Sequence, residues 1–354
     1  MNAGVIDQAD SEVAETRDSL RARLSRDKFL ILDGGLATEL ECRGCDLNND
    51  LWSAKVLIDN PEEIKSVHTA YLEAGCDIIT TASYQASFEG FEKYGFDRET
   101  ASNFLKQSVQ IAQEARSTFL LQYQNEVGKS NEEKEEFQLK TKKTPLIAAS
   151  VGCYGAFLAD GSEYDGSYGV ELGIEMLMEW HSARLDALLQ AGPDIIAFET
   201  IPCLEEVEAL VNLTTQYALV KSNMMPSAWI SFVCQNGTSL ASGQKLSDAV
   251  QLVDALDTEN IIAAVGINCT APQYVLEAAR IISSITSRKI IVYPNRGENW
   301  DSANHEWTQG TGTSDADLAA LAAACFNIGV NVFGGCCRTS PSTIELIKKT
   351  LESM

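Results

Sequence analysis

Short, nearly continuous apolar runs recur along this chain, and longer segments of helical spacing separate them. The runs are Phe29–Leu32, Asp77–Ala82, Pro145–Val151 and Asp194–Glu199, then Ala228–Val233, Ile261–Asn268, Lys289–Pro294 and Asn331–Gly334. Each is short and β-rich, as expected of strands buried on both faces of a parallel sheet. Amphipathic spacing marks Pro61–Ala74, Arg98–Gln122, Gly169–Gln190, Leu204–Val220, Leu246–Leu256, Pro272–Ser284 and Ser314–Asn327 as helices. Asn60-Pro61-Glu62-Glu63 and Ser314-Asp315-Ala316-Asp317 read as helix starts, and Gly75 and Gly192 as stops. Eight such βα units predict an α/β fold, a (β/α)8 TIM barrel forming one domain over residues 29–354. An open doubly wound sheet is the alternative. It is disfavoured because no glycine-rich nucleotide turn follows the first strand and no phosphate loop occurs.

Three stretches fall outside the repeat. Residues 1–28 predict an N-terminal helical arm. Residues 123–143 are charged and poor in apolar side chains, which predicts a solvated insertion. Arg296 to Thr313 is a long Gly-, Asn- and Trp-containing segment after the seventh strand, placed where a lid over the catalytic face would lie.

Charge and composition then narrow the partners. The balance of 27 basic and 50 acidic residues leaves a net charge of −23, against nucleic-acid and anionic-membrane partners. No apolar run approaches the ~20 residues of a membrane span, and the N-terminus lacks a secretory signal, so a cytoplasmic location is expected. In that setting the ten cysteines are expected to be reduced or metal-bound. With only three histidines, a metal site here would rely on sulfur.

Active sites of (β/α)8 barrels lie at the C-terminal ends of the strands. Those ends offer Asp33-Gly34-Gly35, Ser83-Tyr84-Gln85, Glu199-Thr200, Asn268-Cys269-Thr270, Asn295-Arg296-Gly297-Glu298 and Cys336-Cys337. The vicinal pair supplies two thiolates at one strand tip. Cys269, two strands away, is the candidate third. Three thiolates suit Zn²⁺ and leave its fourth position open, a catalytic arrangement. The competing reading is that all three are buried, inert thiols. A zinc with three thiolates is a poor activator of water and a good holder of another thiol, whose natural reaction is S-alkylation. Asp33 and Glu199 could hold an ammonium group, and the Gly34-Gly35 and Gly334-Gly335 N–H groups a carboxylate. Each has a bland alternative: Asp33 as a cap of its own turn, Glu199 as a structural ion-pair partner, Tyr84 as rim packing.

The chain resembles the zinc-dependent homocysteine S-methyltransferase family. The resemblance lies in Leu32-Asp33-Gly34-Gly35-Leu36-Ala37-Thr38-Glu39-Leu40, Leu51-Trp52-Ser53-Ala54, Tyr71-Leu72-Glu73-Ala74-Gly75-Cys76-Asp77 and Thr80-Thr81-Ala82-Ser83-Tyr84-Gln85. It continues in Phe198-Glu199-Thr200-Ile201-Pro202, Gly266-Ile267-Asn268-Cys269-Thr270-Ala271-Pro272, Tyr293-Pro294-Asn295 and Gly334-Gly335-Cys336-Cys337-Arg338. It implies one zinc per chain on Cys269, Cys336 and Cys337. It also implies homocysteine near Asp33, Gly34, Gly35, Glu199 and Asn268. Tyr84, Trp52, Thr200 and Trp300 become candidates for facing the methyl donor. Betaine-using relatives carry Tyr after the fourth-strand Glu, where this chain has Thr200, so the resemblance favours S-methylmethionine, with S-adenosylmethionine as a further possible donor. The expected reaction is in-line methyl transfer to a homocysteine thiolate, giving methionine. A selenocysteine or other thiol acceptor, or a non-catalytic zinc-binding barrel, are the alternatives.

Overall fold

The computed structural model describes residues 19–49, 51–126, 143–220, 225–298, 300–301, 306–307 and 312–354. Barrel strands β1 to β7 are Leu30–Ile31, Ile78–Thr80, Leu146–Gly152, Ile195–Ile201, Ala228–Phe232, Ile262–Asn268 and Lys289–Tyr293. A short antiparallel hairpin, β8 (Trp300–Asp301) and β9 (Glu306–Trp307), precedes the last barrel strand, β10 (Val332–Phe333). The eight barrel strands run in the order β1-β10-β7-β6-β5-β4-β3-β2, every recorded pairing parallel. A parallel bridge from Leu32 to Ile78 joins the two ends of that order and closes the barrel.

Side-chain alternation builds the interior. Leu30 and Leu32, Leu146 and Ala148, and Ile195 and Ala197 point into one apolar cluster with Trp229, Ile291 and Val332. Their neighbours Ile31, Ile147 and Ile196 point outward into the larger cluster beneath the helices. This two-sided burial is why the strands read as continuous apolar runs rather than alternating ones.

The helix Leu20–Arg26 closes the mouth at the strands' N-terminal ends. Leu20 and Leu24 join the interior cluster. Arg23, at 0% exposure, bonds Asp27 at 2.7 Å, Asp77 at 2.5 Å and the Thr144 carbonyl at 3.2 Å. The part of the predicted arm before residue 19 lies outside the described residues, as do residues 127–142 of the predicted insertion.

The predicted helices form, with one internal difference. The segment Tyr168–Gln190 is interrupted at Gly173, whose φ of 74° and ψ of 169° are non-helical. Helical spacing on both sides hides such a break, because one glycine can turn the backbone without changing the apolar stripe.

Candidate active site

The three cysteines predicted as ligands come together. Cys269 follows β6 and the Cys336-Cys337 pair follows β10, with β7 between them in the barrel. Their sulfurs all lie within 4.8 Å of one another. The Cys269–Cys337 and Cys336–Cys337 separations are 3.8 and 3.9 Å. Two sulfurs bound at ~2.3 Å to one tetrahedral ion stand about 3.8 Å apart. Two edges of the triangle therefore already have the size a zinc needs. The third, Cys269 to Cys336, is 2.6 Å and must open by about an ångström. The donor set fits a soft or borderline cation. The three thiols share their protons unequally. Hydrogen bonds from Cys269 and Cys336 hold the Cys337 thiol well below its ordinary range, and Cys336 is pushed up by its hydrogen bonds with Cys269 and Cys337.

The backbone around these sulfurs is tied down. Cys336 N donates to Pro294 O at 2.8 Å, Arg296 N to Cys337 O at 3.0 Å, and Arg338 N to Thr38 Oγ1 at 2.8 Å. The glycines are there for space. A Cβ on Gly35 would meet Cys336 O at 2.7 Å, and one on Gly335 would meet Thr339 Oγ1 at 2.2 Å. The expectation that these glycines form a carboxylate nest is corrected for three of the four. Gly35 N donates to Thr339, Gly334 N to Val292 O and Gly335 N to Asp33 O. Gly34 N alone of the four meets no acceptor among the described residues.

Asp33 is buried and does not cap its own turn. Its carboxylate reaches β2, accepting from Thr80 N at 2.7 Å and from Thr80 Oγ1 at 3.1 Å. Burial pushes its pKa well above the carboxylate range, and the charge of Glu199 adds to the rise. Glu199 accepts from Ser150 Oγ and from Tyr293, and has no basic partner among the described residues. Burial, with a smaller contribution from the Cys337 thiolate, raises its pKa to about 7. Two buried acids that repel each other beside a thiol cluster form a place for a cation.

Asn268 is buried, and its side chain is spent on protein. Its Oδ1 accepts from Thr200 N at 2.8 Å and Ser231 Oγ at 2.9 Å, while its Nδ2 donates to Thr200 Oγ1 at 2.7 Å. Tyr84 packs edge-on against Trp52, ring centres 6.4 Å apart at 71°. The Tyr84 carbonyl is held by Arg184, a buried residue that also binds Ser83 O and Gly152 O. Two donor candidates are thus adjacent. The Trp300 side chain lies outside what is described, as does much of the predicted lid segment.

Strain gathers at this end of the barrel. Thr200, Cys269, Trp52 and Arg338 all hold positive φ, at 63°, 46°, 46° and 67°. Non-glycine residues persist there only where their surroundings fix them.

Sequence reasoning missed Glu163 and Tyr164, on the loop after β3. Burial raises Glu163 to about 7, with a contribution from Cys337. The Tyr164 phenol is raised first by the Cys269 thiolate. The usable signal was punctuation: Asp160-Gly161 and Asp165-Gly166 break the stretch between a strand and a helix on the catalytic face.

The profile of the homocysteine S-methyltransferase family matches residues 30–351. A homocysteine S-methyltransferase 2 of Arabidopsis thaliana is 43% identical over 91% of this chain and 93% of its own length. A selenocysteine Se-methyltransferase of Brassica oleracea var. italica is 43% identical over 96% of this chain and 94% of its own length. The metallated crystal form of an Escherichia coli homocysteine methyltransferase superposes with a TM-score of 0.77 at 37% identity, covering 93% of this chain and 99% of that one. The chain therefore belongs to the homocysteine S-methyltransferase family, a family of methyl-transferring enzymes.

Proposed function

We propose that this protein transfers a methyl group from S-methylmethionine to the sulfur of homocysteine, producing methionine. The observation that carries the reading is the thiol triad of Cys269, Cys336 and Cys337 beside the mutually repelling acids Asp33 and Glu199. The triad would hold one zinc. Bound zinc would supply a Lewis acid that favours the deprotonated acceptor sulfur at neutral pH.

The chain's own residues would do the rest. Asp33 and Glu199 would seat the homocysteine ammonium group, relieving their repulsion, and Gly34 N–H could meet its carboxylate. Asn268 would act through Thr200, holding the turn that follows Glu199. Tyr84 and Trp52 would offer ring faces to the sulfonium. The donor S–CH₃ bond breaks as the bond to the acceptor sulfur forms, and the donor leaves as a neutral thioether, methionine. The acceptor's thiol proton has already passed to solvent. Opposite charges cancel in the transition state, so a water-poor cavity favours the step, and alignment of two bound substrates contributes most of the rest. Thr200, where betaine-using relatives carry Tyr, supports a sulfonium donor.

The test is methionine formation by zinc-loaded protein with S-methylmethionine, S-adenosylmethionine and betaine in turn. S-methylmethionine should be faster than betaine, and the reverse order would overturn the donor assignment. Cys337→Ser should lose bound zinc and at least about 100-fold in kcat/KM. Full activity in that variant would refute the thiolate mechanism. A second acceptor, selenocysteine, is favoured by the selenocysteine Se-methyltransferase among the similar proteins. The kcat/KM ratio for the two acceptors decides between them.

A further inference from the structure

The loop after β3 holds an acid for which the reading above has no use. It runs from the helix Tyr154–Leu158 through the single 3-10 turn Ser162–Tyr164 to the helix starting at Tyr168. Its course is fixed. Ala159, Gly161 and Gly166 take positive φ of 56°, 91° and 64°. Asp160 caps the turn, accepting from Ser162 N at 3.0 Å. A Cβ on Gly155 would stand 2.5 Å from Glu163 N, and one on Gly166 would stand 3.1 Å from Pro202 Cβ. The turn is thus pressed against the segments leaving β3 and β4.

What it presents is Glu163. Its Oε2 is buried and meets no hydrogen-bond donor among the described residues. A buried carboxylate oxygen without a partner is costly unless a ligand supplies one. The charged groups that bear on it are anions: Cys337, Asp160 and Asp165. The loop follows β3 at the C-terminal end of the barrel strands, the end at which Cys269 follows β6 and Cys336-Cys337 follow β10, and the charge of Cys337 acting on Glu163 agrees with that placement.

Two amino acids must bind in this cavity, and each brings an ammonium group. Asp33 and Glu199 serve the acceptor. The donor needs a second anion, set away from its sulfonium by two methylenes and an α-carbon. We infer that Glu163 binds the α-ammonium group of the methyl donor, while Tyr84 and Trp52 flank its sulfonium. This rests on the sulfonium-donor reading and adds to it the residue that recognises an amino-acid donor over a simple sulfonium.

The experiment measures binding by calorimetry on metal-loaded protein. The ligands are S-methylmethionine and 3-dimethylsulfoniopropanoate, a sulfonium acid with no α-ammonium group. The wild type should bind S-methylmethionine at least about tenfold more tightly, the size of one charge-assisted hydrogen bond. Glu163→Gln should erase that difference. It should leave the Kd of 3-dimethylsulfoniopropanoate, the Kd of homocysteine and the bound metal unchanged, and raise KM for S-methylmethionine with little change in kcat. Glu163→Asp should recover part of the loss. Equal binding of the two sulfonium ligands by wild type overturns the inference without any variant. So does an unchanged Kd for S-methylmethionine in Glu163→Gln, or an equal loss for both ligands. If binding depends on Glu163 but no methyl group is transferred, the donor reading fails and the subsite assignment stands.

Discussion

Asn268, expected among the groups meeting homocysteine, has its side chain committed to Thr200 and Ser231. The sequence placed it correctly at a strand tip, but side-chain direction there depends on which partner lies across the barrel. Thr200 needs that partner, because its φ of 63° takes its N–H out of the strand ladder. Asn268→Ala leaves the buried Thr200 N–H and hydroxyl unpaired, a cost of about 1–3 kcal/mol. The expected result is a kcat/KM for methyl transfer lower by roughly 10- to 100-fold, with bound metal retained. Steady-state kinetics beside elemental analysis read both, and wild-type kinetics in the variant would show that the turn is indifferent to Asn268. Asp33 teaches a related point. A carboxylate before two glycines suggests a local cap, yet its oxygens cross to Thr80 on the neighbouring strand.

At the scale of elements, strands and helices were legible because burial sets their periodicity. Strand ends were less so. The last barrel strand shrinks to Val332–Phe333, since the glycines that follow bend the chain toward the cysteines. The β3 loop escaped notice because Glu163 sits on a short 3-10 turn with no apolar spacing of its own. The helix Leu20–Arg26, which the sequence predicts as part of an arm, packs as a plug. Arg23→Ala removes the cation that bridges Asp27 and Asp77 at the base of the barrel. Breaking such a buried pair costs about 3–5 kcal/mol. Urea unfolding should show a clearly lower midpoint, and an unchanged midpoint would mean the helix contributes nothing to the barrel's stability.

For the molecule as a whole, His68 is among the buried groups that tie stability to pH. His68, on the helix Pro61–Glu73, is fully buried with neither ring nitrogen partnered among the described residues, and burial lowers its pKa from 6.5 to about 4. Between those values the unfolded chain binds the proton and the folded chain does not. The His68 contribution is therefore full above pH 6.5 and falls as pH drops toward 4, by up to about 3 kcal/mol. His68→Leu should flatten that part of the Tm-versus-pH curve, and a variant retaining the full acid slope would assign the dependence to other groups. The barrel's closure is also a whole-molecule property. The Leu32–Ile78 bridge and the neighbouring bonds between the β1 and β2 segments join the ends of the strand order, and no local pattern encodes contacts between residues so far apart in sequence.

The sequence by itself determined the repeat of buried strands and amphipathic helices, because burial on two faces or one writes its own periodicity. It also determined the three thiols as a possible ligand set, since strand ends can be found without knowing the barrel's shape. Tertiary structure decided what those ends do to one another. It set two sulfur separations near the tetrahedral value and left one short. It committed the Asn268 side chain to Thr200 and Ser231, spent three of the four glycine N–H groups on neighbouring segments, and brought Glu163, from a loop with no periodicity, to the barrel end that carries the thiols. Those outcomes depend on contacts between segments far apart in sequence, whose distances and directions exist only once the barrel has closed.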